Sequence, residues 1–176
     1  MHLADVHDVI LDQRNWLERI LQRIPGFRGY YGRENRREAD RTLRSYGVSR
    51  IDQLISELHE VIKQSATEEL QELGELITRF QKLSHELRFA DQGYTGFFAE
   101  LSWGSGERLD KLYRIDEQMV ESLTALSITV EAGEFRASDL ARELRTLERT
   151  LDQRRQTILG LLPDDDDTEV GVESGE

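Results

Sequence analysis

Apolar residues recur along this chain at intervals of three and four, the spacing that gathers them on one side of an α-helix. Leu3, Val6, Ile10, Trp16 or Leu17, Ile20, Leu21 and Ile24 fall near one face, and Pro25-Gly26 ends the run, which predicts a helix over residues 3–23. A shorter helix from Arg33 to Tyr46 carries Ala39, Leu43 and Tyr46 on one side. Gly47 follows where a left-handed C-terminal stop belongs, and Ser49 is placed to cap the next helix.

From Ile51 the apolar positions run 51, 54/55, 58, 61/62, 66, 70, 73, 76/77, 80, 83 and 87. They hold helical phase through the polar stretch Gln64-Ser65-Ala66-Thr67, which predicts one continuous helix over 49–90. Such a helix would be about 60 Å long, suited to an elongated bundle or coiled coil. The alternative is a hairpin at Ser65–Thr67. Gly74 lies inside the run, where glycine costs about 1 kcal/mol relative to Ala unless a neighbouring helix uses the missing side chain.

Beyond the Gly-rich stretch Asp91 to Gly106, Leu109, Leu112, Ile115 or Asp116, Met119, Leu123, Leu126 and Val130 define a helix ending at Gly133. Ser138-Asp139 is the expected cap of the last helix. Its Leu140, Leu144, Leu147, Leu151, Ile158 and Leu161 lie close to a heptad seam, and Pro163 ends it. No segment shows the alternation of β-branched residues that a sheet requires; Ile128-Thr129-Val130 sits at a helix end. The fold class is therefore all-α. The architecture expected is an elongated helical bundle with a long central helix (about 49–90), antiparallel C-terminal helices and a shorter N-terminal helical pair, in a single domain over 1–163.

Composition agrees, with 38% hydrophobic and 33% charged residues. The absence of Cys excludes a disulfide-stapled fold and a Cys-based zinc site and suits a reducing cytoplasm. The first residues are acidic where a secretory signal would be basic, and no run approaches the roughly 18 apolar residues of a membrane span. The net charge is -12, yet residues 164–176 carry seven acidic side chains and no basic one. A segment of that composition buries too little apolar surface to offset its ordering entropy, so a disordered acidic tail is expected there.

Familiar catalytic patterns are missing. A di-iron bundle needs Glu-x-x-His pairs, whereas Ser56 and Lys82 stand three residues before His59 and His85. Gly104-Ser105-Gly106 matches neither a nucleophile elbow nor a P-loop. His59 and His85 flank the apolar seams and are read as hydrogen-bonded boundary residues, while His2 and His7 are read as surface residues. Paired acids such as Glu68-Glu69 belong to a solvated helix surface. No metal or cofactor is called for.

Two segments stand apart. Ile24-Pro25-Gly26-Phe27-Arg28-Gly29-Tyr30-Tyr31-Gly32 interleaves glycines with aromatics, and Phe89 through Trp103 repeats the device with Gly93-Tyr94 and Gly96-Phe97-Phe98. Such rings either plug a bundle end or form an exposed binding patch. Phe27, Tyr30, Tyr31, Tyr94, Phe97, Phe98 and Trp103 are thus the candidate partner-binding residues, aromatics being frequent interface anchors. Beside the first segment, Arg33, Arg36, Arg37, Arg41 and Arg44 fall within about 140° of one helical face. With Arg28 they are the candidate anion-binding residues, for lipid headgroups, nucleic acid or an acidic segment such as Asp164–Asp167. The competing reading is internal pairing, because Arg36–Asp40 and Asp40–Arg44 have intrahelical ion-pair spacing.

Ile24 to Tyr30 followed by Arg36-Arg37-Glu38-Ala39-Asp40 resembles bacterial helical proteins that have a similar loop and basic helix, over roughly a tenth of the chain. That resemblance implies no activity. The expectation is a non-enzymatic helical scaffold or adaptor that binds a protein partner through its Gly/aromatic loops, with self-association through helical seams as a further route. A peripheral protein on anionic membranes comes second and an enzyme third; nucleic acid is disfavoured by the acidic field.

Overall fold

Four helices make up nearly all of the described chain: α1 (Arg33–Gln64), α2 (Leu70–Phe89), α3 (Gly106–Ala132) and α4 (Ala137–Leu159). The computed structural model describes residues 23–24, 33–64, 69–90, 106–133 and 135–159, with side chains from Glu38 onward in α1 and from Leu109 onward in α3. No strand occurs among them, and the protein is an all-α helical bundle. The expected helix over 3–22, Ser65–Thr67, the Gly/aromatic residues 25–32 and 91–105, Leu161 and the acidic tail lie outside the described residues.

Two expected boundaries are corrected. Gly47 does not end a helix, because α1 runs through it to Gln64. A Cβ at Gly47 would lie 3.1 Å from Leu87 Cδ1, with Leu123 and Met119 methyl groups at 3.9 Å. Gly47 is thus a point of close approach, where α1 meets α2 and α3 at once. The continuous helix over 49–90 is also absent: α1 stops at Gln64, and α2 starts at Leu70 and packs back along α1. The stretch Gln64–Thr67 offers only Ala66 as an apolar side chain. Reversal there lets the Ile51, Leu54 and Leu58 face bury itself against Leu76, Phe80, Leu83 and Leu87, which a straight rod of about 60 Å would leave exposed.

Arg44 lies beside Leu87, whereas Asp52 lies beside Ser84 and Arg88, so α1 and α2 form an antiparallel hairpin. Asp116 meets Arg154 and Thr129 meets Glu143, which makes α3 and α4 a second antiparallel hairpin, as expected. The hairpins stack with α1 on α3 and α2 on α4. Gly133, with φ of 72°, terminates α3 as the spacing predicted. α4 begins at Ala137, so Ser138 and Asp139 occupy its first turn rather than preceding it. Gly74 meets nothing within 4 Å, and its helix-propensity penalty has no packing return.

The core is continuous and mostly Leu and Ile. Ile115 and Asp116, alternatives in the sequence pattern, are both buried. In α4 the positions 140, 144, 147 and 158 are buried as expected, Leu151 is half-buried, and the heptad position between Leu147 and Leu161 is filled by Arg154, only 2% exposed. Leu140, Leu144, Leu147 and Ile158 of α4 are therefore enclosed within this chain's own bundle.

Candidate interaction end

A string of buried polar contacts crosses the bundle and touches every helix. Arg44 Nη1 donates to the Leu87 carbonyl in the last turn of α2 at 3.1 Å, and Arg44 Nε donates to Asp40 Oδ2 at 2.8 Å. Asp40 Oδ1 accepts from Arg154 Nη2 at 2.7 Å, and Arg154 Nε donates to Asp116 Oδ1 at 2.7 Å. Asp40, Arg44, Asp116 and Arg154 are all buried. Two carboxylates balance two guanidiniums, which is the condition under which charges tolerate removal from water. Arg44 also places positive charge on a helix C-terminus, where carbonyls lack intrahelical partners.

This network corrects the basic stripe. Arg44 turns inward onto Asp40, the internal pairing that its spacing allowed, while Arg41 remains exposed. The side chains of Arg33, Arg36 and Arg37, and Arg28 altogether, lie outside the described residues. An open groove of about 680 Å³ runs beside Arg41, Arg44, Ser49 and Arg88, with Arg88 bound to Asp52 Oδ2 at 2.8 Å.

The network also fixes which helix ends lie together. Arg33 opens α1 seven residues before Asp40, Phe89 closes α2 two residues after Leu87, Gly106 opens α3 ten residues before Asp116, and Leu159 closes α4 five residues after Arg154. All four termini lie at one end of the bundle. Arg33, Phe89 and Gly106, which border the Gly/aromatic segments in sequence, therefore lie at that end, whereas Phe27, Tyr30, Tyr31, Tyr94, Phe97, Phe98 and Trp103 fall outside the described residues. Ile24, which precedes the first segment, is buried in the core.

At the same end the α2–α4 seam opens into a groove of about 710 Å³ with Leu83, Leu87, Ala90 and Leu151 among its apolar lining. Phe89 and Leu159 stand on its rim, 52% and 44% exposed. The His85 ring lies tilted against Phe89 with centroids 4.5 Å apart. Arg79 and Glu148 bridge the two helices through paired contacts of 2.9 and 2.7 Å. Donation of its hydrogen bonds to Glu148 raises the Arg79 pKa above its ordinary value, against the opposing effect of burial. His59 is exposed, its Nδ1 lying 2.7 Å from the Ile55 carbonyl.

Among the described residues no group of three or more His, Asp or Glu is placed to hold a metal ion. None of the described helices is long and apolar enough to cross a membrane. What fold and site define is an all-α bundle, closed inside by paired charges and open along one seam. No protein-family model, no curated protein and no solved structure matches this chain.

The sequence pattern pointed to the aromatic segments and missed the ionic network. A signal was present: positions 140, 147, 154 and 161 repeat at the heptad interval, which places Arg154 on the seam, and Asp116 shares the apolar stripe of α3.

Proposed function

We propose that this protein is a non-enzymatic helical scaffold or adaptor that binds a protein partner at the bundle end that its Gly/aromatic segments border in sequence. The observation that carries this reading is the pair Phe89 and Leu159, two large apolar side chains left half-exposed on opposite rims of the α2–α4 groove. Among the described residues Ile128, in α3, is the one other large apolar side chain so exposed, and it does not line that groove. An apolar floor rimmed by charged side chains is the composition of a protein interface core within its polar border. Phe89 also begins the segment that supplies Tyr94, Phe97, Phe98 and Trp103, so groove and aromatics would act as one surface.

The test places a photo-crosslinking amino acid at Phe89 and irradiates the protein in lysate of its source cells. A discrete cross-linked species is expected. It should disappear in Leu159→Asp and in the Phe97/Phe98/Trp103 triple-Ala variant while circular dichroism stays at the parent value. Cross-linking only to itself, or to the same species in both variants, would overturn the assignment.

A further inference from the structure

The outer face of α4 carries three arginines, two of which pair with no carboxylate among the described residues. Arg142, Arg145 and Arg149 are exposed and share one helical face, lining an open depression of about 680 Å³ with Glu148, Asp152 and Gln153. The two acids there are already engaged, Glu148 by Arg79 and Asp152 by Arg155 and Gln156. Arg149 donates only to neutral oxygens, the Arg145 carbonyl and Thr146 Oγ1. Neither Arg145 nor Arg149 pairs with a carboxylate among the described residues, and Arg142 has a single 3.4 Å contact to Asp139.

A chain with a net charge of -12 has a matching segment a few residues further on. Asp164, Asp165, Asp166, Asp167, Glu169 and Glu173 follow α4 after Gly160-Leu161-Leu162-Pro163, and glycine and proline suit a change of direction. The distances agree. Arg149 lies ten residues back from Leu159, about 15 Å along the helix, and Arg142 about 26 Å. After a reversal over 160–163, an extended strand starting at Asp164 would bring Glu169 about 17 Å back and Glu173 about 30 Å back. The acidic residues therefore bracket the arginines in reach as well as in sign.

We infer that the acidic segment 164–173 folds back along α4 and covers the face formed by Arg142, Arg145 and Arg149, shielding it from other anionic surfaces. The association is carried by six acidic side chains against two apolar ones, Val170 and Val172, so it responds to ionic strength: the screening length falls from about 10 Å at 0.1 M salt to about 3 Å at 1 M. The arginine face adjoins the α2–α4 groove along Glu148 and Asp152 but does not rest on the function proposed for it.

The chain contains no Cys, so Ser174→Cys takes a nitroxide spin label at a single place in the full-length protein. At low salt, amide signals of residues 142–149 should lose most of their intensity to paramagnetic broadening, while those of α1 keep theirs. The loss should be reversed at about 1 M salt and in R142Q/R145Q/R149Q. It should also be reversed where Asp164–Asp167 are changed to Asn with Glu169 and Glu173 to Gln, a variant that leaves the bundle unaltered. Broadening centred on residues 33–41 of α1, spread evenly over the surface, or unchanged by salt or by either set of substitutions would overturn the inference.

Discussion

The two hairpins meet along two seams that use charge in opposite ways. On the α1–α3 side, Gly47 brings the helices close, and Asp40, Asp116 and the Arg154 that reaches them from α4 are sealed from water. On the α2–α4 side the Arg79–Glu148 pair is about one-third exposed and spans a seam that opens into a groove. Similar guanidinium–carboxylate geometry thus has different consequences. In the first place removal of one partner strands charge in the core; in the second, water replaces whatever is lost. The closed seam sets the relative position of the hairpins, and the open one leaves a surface available.

The largest expected effect tests the closed seam. Arg154→Ala should lower unfolding stability by about 3–5 kcal/mol in urea titration, because Asp40 and Asp116 stay buried without their shared partner. Replacing all four members together, as D40L/R44M/D116L/R154M, should restore most of that loss. A single-substitution effect no larger than that of a surface pair would break the distinction between the seams.

Gly47→Val comes next. The added methyl groups must displace Leu87 and crowd Met119 and Leu123, an overpacking that should cost about 1–3 kcal/mol. Thermal unfolding compared with the parent chain measures it, and an unchanged midpoint would mean that α1 approaches its neighbours less closely than Gly47 implies.

The smallest effect belongs to the open seam. A double-mutant cycle on Arg79→Ala and Glu148→Ala should return a coupling of about 0.2–1 kcal/mol, reduced by solvent screening. A coupling of several times that size would make the α2–α4 seam as closed as its counterpart.

Element type was readable because amphipathic periodicity reports which face is buried, and most marked positions of α2, α3 and α4 are buried, with unmarked Tyr113, Val120, Thr150 and Thr157 buried beside them. Periodicity does not report whether a helix continues. Phase survives across Ser65–Thr67 because α1 and α2 bury equivalent faces against each other, so the reversal left no phase break. Gly47 was ambiguous for a related reason: a helix stop and a close approach use the same residue, and only its place in the series Leu43, Gly47, Ile51, Leu54 distinguishes them. The pairing of Arg44 with Asp40 was open from their spacing, but the burial of both and their link to Asp116 and Arg154 were hidden by the habit of assigning charge to solvent. Their burial depends on mutual neutralisation across three helices, a property of the assembled bundle that no single segment contains.

The ionic string also bears on how the bundle assembles. Sliding α4 by one heptad would bring Leu147 or Leu161 to the place of Arg154 and leave Asp40 and Asp116 facing leucine, so only one alignment of the hairpins satisfies both carboxylates. Each hairpin can zip from local contacts, Arg44 with Asp40 and Leu87 in one and Arg154 with Asp116 in the other, and docking adds the bond from Arg154 to Asp40. The pairs formed within each hairpin thus meet through one shared carboxylate, and docking is the step at which Asp40 exchanges water for Arg154.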